Sequence, residues 1–344
     1  MSIKDKIISK IPAAIFGKQI LKSEIDTRYE VTKTQKMIQE LDAKTEYLFW
    51  LLNKRENEKM LETQKRVFLE LPKATGKLRD LQNAENIMLR MIKEVCNENG
   101  LQFFLLYGTL LGAIRHKGFI PWDDDLDIGM LQEDYVAFED KLSDHEYLQV
   151  HKYCLPNFHG FLSKVKFKGF EAPYIDVFVF ERLDCDASNV SECWMETQAI
   201  NQKFCNEIGK LVNEKYKYID YECRPIYDQG LDVESKEILN NCRNATSWLS
   251  NSGQYFARTI SGTENGRIEE GVMSYQDQYP LLEDAVEFEG EKYSVWKSYE
   301  KKLEQWYGDY WSFPPSIRGD HSAELQDAEE CIEYMKEKGL LKVE

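Results

Sequence analysis

Asp125 and Asp127 sit two residues apart in the run Asp123-Asp-Asp-Leu-Asp-Ile128, with Leu126 and Ile128 alternating between and after them. In an extended strand this pattern turns both carboxylates to one face and both aliphatic side chains to the other. Carboxylates that face the same way repel unless a cation lies between them, and oxygen-only ligands suit hard Mg2+ or Mn2+. A third acid, Asp176, is embedded in the apolar run Tyr174-Ile-Asp-Val-Phe-Val-Phe180. Aspartate is disfavoured in such a strand unless something pairs with it, and a cation shared with Asp125 and Asp127 supplies that partner. Ahead of both, Gly108-Thr109 closes one predicted strand and opens a helix. Glycine lets the backbone come close to a phosphate, and free amides at a helix N-terminus favour an anion.

Each feature taken alone has an ordinary reading. An acidic run is usually a solvated loop. It could also be a calcium loop, with Asp123, Asp125, Asp127 and Asp134 at positions 1, 3, 5 and 12, but Ile128 stands where that loop requires glycine. Asp176 could be a salt-bridged core acid, and a lone Gly-Thr pair carries little. The three in this order, each in a matching strand context, are what a metal site needs.

Basic residues lie where anions would have to be held. Arg115, His116 and Lys117 stand between the Gly-Thr turn and the acidic strand, and Arg115 suits bidentate phosphate contact best. Lys164, Lys166 and Lys168 alternate along a strand and share one face, either a phosphate-facing row or the wet side of a sheet.

The elements that must position these side chains can be read from about residue 79 onward. A helix over 87–99 ends at Gly100, a residue type that favours helix termination. Next come a strand over 102–107, a helical turn over 109–115, a strand over 125–130 and a helix over 132–142. Strands over 161–167 and 174–180 follow, then a mostly helical stretch over 187–250 and a helix over 299–306. Residues 22–78 form a polar, helix-rich extension without glycine until Gly76. A heptad through Val31, Thr34, Ile38, Leu41, Thr45, Leu48, Leu52, Arg55 and Lys59 makes at best an imperfect coiled-coil seam, so a self-associating stalk and a long packed helix both fit. Residues 1–21 read as a basic amphipathic segment with Ile7, Ile8, Ile11, Ile15 and Ile20 on its apolar face, suited to peripheral membrane contact or to docking on the protein itself.

The formal net charge of −16 argues against a nucleic-acid partner, because a phosphate backbone needs a basic footprint. Eight scattered cysteines without a CxxC pair give no zinc ribbon and read as reduced thiols, which points to the cytoplasm.

The string Gly108-Thr-Leu-Leu-Gly-Ala-Ile-Arg-His-Lys-Gly-Phe-Ile-Pro-Trp-Asp-Asp-Asp-Leu-Asp-Ile-Gly-Met130 resembles the LicD family of phosphotransferases, to which fukutin-type proteins are related. The resemblance extends to Tyr174–Phe180, to Phe288-Glu-Gly290, and to Tyr307-Gly-Asp-Tyr310 with Pro314-Pro315, Arg318 and His321. It covers roughly residues 80–322 and leaves 1–78 outside. Two departures stand out: Lys166-Phe-Lys-Gly-Phe170 lacks a threonine usual there, and Trp296 replaces a usual proline, both places that could shape the donor or acceptor pocket.

The resemblance implies an α+β fold, a nucleotidyltransferase-type mixed sheet flanked by helices, carried by residues 79–344 behind the helical extension. It implies transfer of phosphocholine or a polyol phosphate from a CDP-linked donor to a hydroxyl of a cell-surface glycan, at the inner face of a membrane if that acceptor is lipid-linked. Asp125, Asp127 and Asp176 would be the catalytic and metal-holding residues. Gly108, Thr109, Arg115, His116, Lys117, Lys164, Lys166, Arg318 and His321 would bind substrate. The same carboxylates would serve a nucleotidyltransferase that releases pyrophosphate. A catalytically silent scaffold is a third reading, against which three intact aspartates weigh.

Overall fold

The alternation of Asp127, Gly129 and Leu131 with Ile128 and Met130 builds the middle of the sheet. A computed structural model describes residues 13–155, 160–196, 199, 203, 252–257, 272–314 and 328–341. The chain divides into two compact units, residues 1–67 and 68–344. The protein is α+β.

In the first unit α1 (Ala13–Asn53) is a 41-residue helix. It ends before the last two heptad positions, so Arg55 and Lys59 fall in the break that precedes α2 (Met60–Glu70). Glu58 organises that break: Arg66 Nε donates to its carboxylate at 2.7 Å, and the buried Thr63 hydroxyl donates to it at 2.9 Å. The seam residues Val31, Ile38, Leu41, Leu48 and Leu52 are all exposed.

The second unit begins with the end of α2 and continues into α3 (Lys77–Asn99), which starts earlier than its apolar pattern suggests and stops at Gly100 in the left-handed conformation, φ 66°. Then come β1 (Phe104–Leu105), α4 (Tyr107–His116), β2 (Asp127–Leu131), α5 (Gln132–Ser143), β3 (Leu148–Leu155), β4 (Gly160–Phe167) and β5 (Tyr174–Leu183). β6 (Tyr255–Ala257), β7 (Val272–Ser274), the one-turn α6 (Tyr275–Gln278), the hairpin β8 (Leu282–Phe288) and β9 (Glu291–Val295), α7 (Tyr299–Tyr307) and α8 (Glu329–Glu337) complete the described elements. The helix expected over 187–250 lies largely outside the described residues.

Seven described strands form one mixed sheet. Its path is β1-β2-β5-β4-β3, with β6 continuing from the far end of β5 and β7 beyond it. β2 and β5 run parallel with Asp127 opposite Asp176, whereas β1–β2, β3–β4 and β4–β5 are antiparallel.

The two sheet faces bury different things. Ile128, Met130, Val165, Ile175, Val177 and Val179 point into one large core with Met88, Leu89, Ile92 and Phe138 of the flanking helices. On the opposite face Leu131 and Phe180 join Phe104, Phe256, Tyr279 and Trp296 in an aromatic cluster. Glycine at 129 is what lets Phe104 cross here: a Cβ would come within 2.1 Å of the ring. Trp296 is 1% exposed and packs on Phe104 and Phe180, so this departure from the family pattern fills the core rather than a substrate pocket. Among the described residues no helix is long and apolar enough to cross a membrane.

Candidate active site

Main-chain bonding sets the site before any side chain does. The Asp127 amide donates to Thr109 Oγ1 at 2.7 Å, and its carbonyl accepts from the Leu106 amide at 3.1 Å. Across the parallel junction the Asp176 amide donates to Leu126 O at 2.9 Å. Thr109, 2% exposed, thereby locks the start of β2 to the first turn of α4. Its hydroxyl proton is still a donor, but its oxygen is already engaged in holding the strand. Just ahead of it Tyr107 sits at φ 39°, outside the usual range for a non-glycine residue, with its ring held between Phe178 and Trp306.

Register then places the charges. Asp176 on β5 lies between Asp127 of β2 and Lys164 of β4, and all three share the sheet face that carries the aromatic cluster farther along. Lys164 Nζ stands 3.2 Å from Asp176 Oδ1, an oxygen that is buried and accepts no hydrogen bond of good geometry. The same ammonium lies 3.2 Å from the centre of the Tyr174 ring. Burial pushes the Asp127 carboxyl well above the ordinary carboxylate range; Asp125, Asp176 and Asp123 push it further, and Lys164 opposes them.

The acidic loop differs from expectation. Asp125 precedes β2 rather than belonging to it, because pairing with β1 and β5 begins only at Asp127 and Ile128. Carboxylate oxygens of Asp123, Asp124 and Asp125 lie within 4.8 Å of one another. A Cβ on Gly108 would come within 2.9 Å of Asp123 Oδ2, so the missing side chain admits that carboxylate to the start of α4. Gln82 of α3 fastens the loop from behind by donating to the carbonyl of Asp123 at 2.8 Å.

Sequence pattern does not single out Asp123, Asp124, Gln82 or Tyr307 as site residues. The Asp-Asp-Asp run is the available signal for the first two, but strand alternation favours Asp125 and Asp127. Gln82 and Tyr307 reach the site from distant segments. Tyr307 is 40% exposed as a residue, while burial around its phenol and the nearby Asp127 and Asp123 carboxylates raise it far above the ordinary range.

The basic residues divide sharply. Lys164 joins the acidic row. Lys166, 3% exposed, is also inside and pairs with Glu171 at 2.5 Å, so neither lysine lies on a wet face. Exposed Lys168 donates to the main-chain oxygen of His145. Arg115 has a different task from the bidentate phosphate contact expected of it. Its Nε donates to Tyr310 O and its Nη2 to Ser312 O at 2.6 Å, and the guanidinium lies 4.3 Å from the Phe68 ring centre. A buried fork spent on two carbonyls is a loop clamp.

His116 packs edge-on to Phe68 with Nδ1 2.7 Å from Phe68 O. A carbonyl only accepts, so Nδ1 carries the proton and Nε2, buried without a hydrogen bond, does not. Burial lowers the imidazole from 6.5 to about 4, with Arg115 adding to the effect and the Phe68 bond opposing it. Lys117 turns to the β8–β9 hairpin, 3.5 Å from Glu287. Arg318 and His321 lie outside the described residues.

The donors are all oxygen, as a hard divalent cation prefers, and Asp176 Oδ1 is buried without a hydrogen bond. Among the described residues the carboxylates close enough together to share one cation are those of Asp123, Asp124 and Asp125; Asp127 and Asp176 lie outside that group. A mixed sheet that presents such a row beside a helix start is the arrangement expected of a nucleotidyltransferase-type domain.

Comparison with known proteins narrows the class. Residues 100–211 match the family described as LicD/FKTN/FKRP, nucleotidyltransferase domain. Lipopolysaccharide cholinephosphotransferase LicD of Haemophilus influenzae is 25% identical over 234 residues, spanning 64% of this chain and 86% of that protein. Human ribitol 5-phosphate transferase FKRP is 44% identical over 45 residues, 13% of this chain and 9% of FKRP. An uncharacterised Rickettsia typhi protein is 44% identical over 52 residues, 15% of this chain and 17% of its own length. Residues 100–211 are therefore similar to the LicD-type nucleotidyltransferase domain shared with the fukutin-related proteins.

Proposed function

We propose that this chain is a divalent-cation-dependent phosphotransferase that moves phosphocholine or a polyol phosphate from a CDP-activated donor to a hydroxyl of a cell-surface glycan. The observation that carries this reading is the Asp127–Asp176–Lys164 row, in which a buried Asp176 oxygen has the Lys164 ammonium beside it but accepts no hydrogen bond. Similarity to a cholinephosphotransferase and to a ribitol 5-phosphate transferase supports the class of group moved.

Asp125, Asp127 and Asp176 would hold Mg2+ or Mn2+, which supplies charge neutralisation for the donor diphosphate. Thr109 and the main-chain bonds around Asp127 keep that carboxylate in place before substrate arrives. Asp176 takes the proton of the attacking glycan hydroxyl. That oxygen bonds to the distal phosphorus while the bond to the CMP oxygen breaks, so CMP leaves and the phospho-substituent is transferred. Gly108 and Lys164 would face the donor phosphates, while Lys166 on the same face is already paired with Glu171.

The domain works in the cytoplasm at the inner face of a membrane, where its basic N-terminal segment meets the surface that carries a lipid-linked acceptor. The exposed seam of α1 joins two copies.

Incubation with a panel of CDP-alcohols, with CTP, Mg2+ and a glycan acceptor, tests the reading through the nucleotide released. CMP from a CDP-alcohol is expected. Pyrophosphate from CTP would instead make the protein a nucleotidyltransferase, and absence of both products would leave a scaffold.

A further inference from the structure

Lys164 is placed as no ordinary surface lysine would be. Its side chain is 9% exposed, on β4 and in register with Asp176 on β5. One side of the ammonium meets Asp176 Oδ1 and another the face of Tyr174, both at 3.2 Å. It is also the cation that opposes the upward push on Asp127. Its neighbour Lys166 has its own carboxylate in Glu171, so the two lysines are not interchangeable.

We infer that Lys164 is an internal counterion that occupies Asp176 until a divalent cation takes that carboxylate, and is then released toward the donor phosphates. This rests on reading the acidic row as a cation site. An ammonium and a divalent cation on the same carboxylate repel each other at such separations, so each weakens the other's hold on Asp176. Burying the charge of Lys164 without Asp176 is costly, so displacement requires a new anion. The donor diphosphate supplies it. Tyr174 gives the ammonium a resting surface that does not depend on Asp176, since an aromatic face attracts a cation at short range. Lys164 thus links metal binding to donor binding: each step favours the next. A lysine that merely filled space in the sheet would show no such link.

The test uses full-length protein and Mn2+ alone as the first probe, by isothermal titration calorimetry, on wild type, Lys164→Met, Lys164→Gln, Lys164→Arg and Asp176→Asn. Lys164→Met is expected to tighten Mn2+ binding by about tenfold, because a competing positive charge is gone. Lys164→Gln serves the same purpose if the methionine variant fails to give native near-ultraviolet circular dichroism. Lys164→Arg keeps the charge and should leave Mn2+ affinity near that of wild type. With Mn2+ saturating, CDP should bind about tenfold more weakly to Lys164→Met, reflecting one lost charge-assisted contact. Unchanged or weaker Mn2+ binding by folded Lys164→Met and Lys164→Gln would overturn the inference while leaving the metal site standing. If wild type takes up no Mn2+ and Asp176→Asn behaves identically, the metal reading itself fails, and this inference falls with it.

Discussion

One face of the sheet carries two opposite environments within a few residues. At the start of β2 and β5 it holds Asp127, Asp176 and Lys164. Farther along the same strands, with side chains still on that face, it holds Leu131 and Phe180 inside a cluster with Phe104, Phe256 and Trp296. Both stretches obey one period-2 pattern. The difference lies in their neighbours: carboxylates of Asp125 and Asp123 act on Asp127 in the first stretch, and aromatic rings pack on the second. The polar row therefore retains unmet bonding capacity, whereas the aromatic stretch is closed and supplies rigidity. Reactivity and stability are thus divided along a strand rather than between domains, and mutations should separate them.

The widest separation is expected at the acidic row. Asp127→Asn and Asp176→Asn should lower turnover by roughly three orders of magnitude or more with Mg2+ present, measured by CMP release, while the fold persists. Asp127→Asn should also stabilise the metal-free protein. Its carboxyl is raised from an ordinary 3.8, so the folded state holds that proton more tightly than the unfolded chain does. The stability gained is full below 3.8 and is lost as pH rises through the raised value, and above that the ionised carboxylate is repelled by its acidic neighbours. Near-normal turnover in either variant, still dependent on metal, would erase the contrast between the two stretches.

Phe180→Ala probes the other side of the comparison. It should destabilise by about 3–5 kcal/mol, read from urea midpoints, since a large buried ring leaves a cavity. Turnover per folded molecule at low temperature should fall far less than in the aspartate variants. A loss of turnover as large as theirs would show that the aromatic stretch takes part in the chemistry.

The smallest effect concerns His116, which sharpens the boundary between site and support. Its imidazole is lowered from 6.5 to about 4, so it adds stability above 6.5 that is lost as pH falls toward 4. The full loss is about 3 kcal/mol, since each tenfold drop in proton affinity on folding is worth about 1.4 kcal/mol. Comparing acid unfolding of wild type and His116→Gln should show that slope reduced in the variant. An unchanged slope would place the acid sensitivity elsewhere.

Much of the site was legible because its signals are local. Alternation in Leu126-Asp-Ile-Gly-Met130 and in Tyr174–Phe180 fixes which side chains share a face, and the helix end at Gly100 follows from residue type. Apolar runs 128–131 and 174–180 announce buried strands, and an aspartate inside one announces a need for a partner. The order of elements along 87–143 follows from the same local preferences.

Other features depend on register and on contacts between distant segments. That Asp127 lies opposite Asp176, and that Lys164 rather than Lys168 meets them, is set by strand pairing, which no residue encodes alone. Arg115 and His116 look like phosphate ligands from spacing. They are drawn into support because carbonyls of Tyr310, Ser312 and Phe68, remote in sequence, satisfy their polar atoms in a buried setting. Gln82 and Tyr307 reach the site the same way. By itself the sequence determined which residues carry charge and which way each strand turns them. Only the tertiary structure decided which charges meet, because a buried polar atom takes the partner that packing brings within reach.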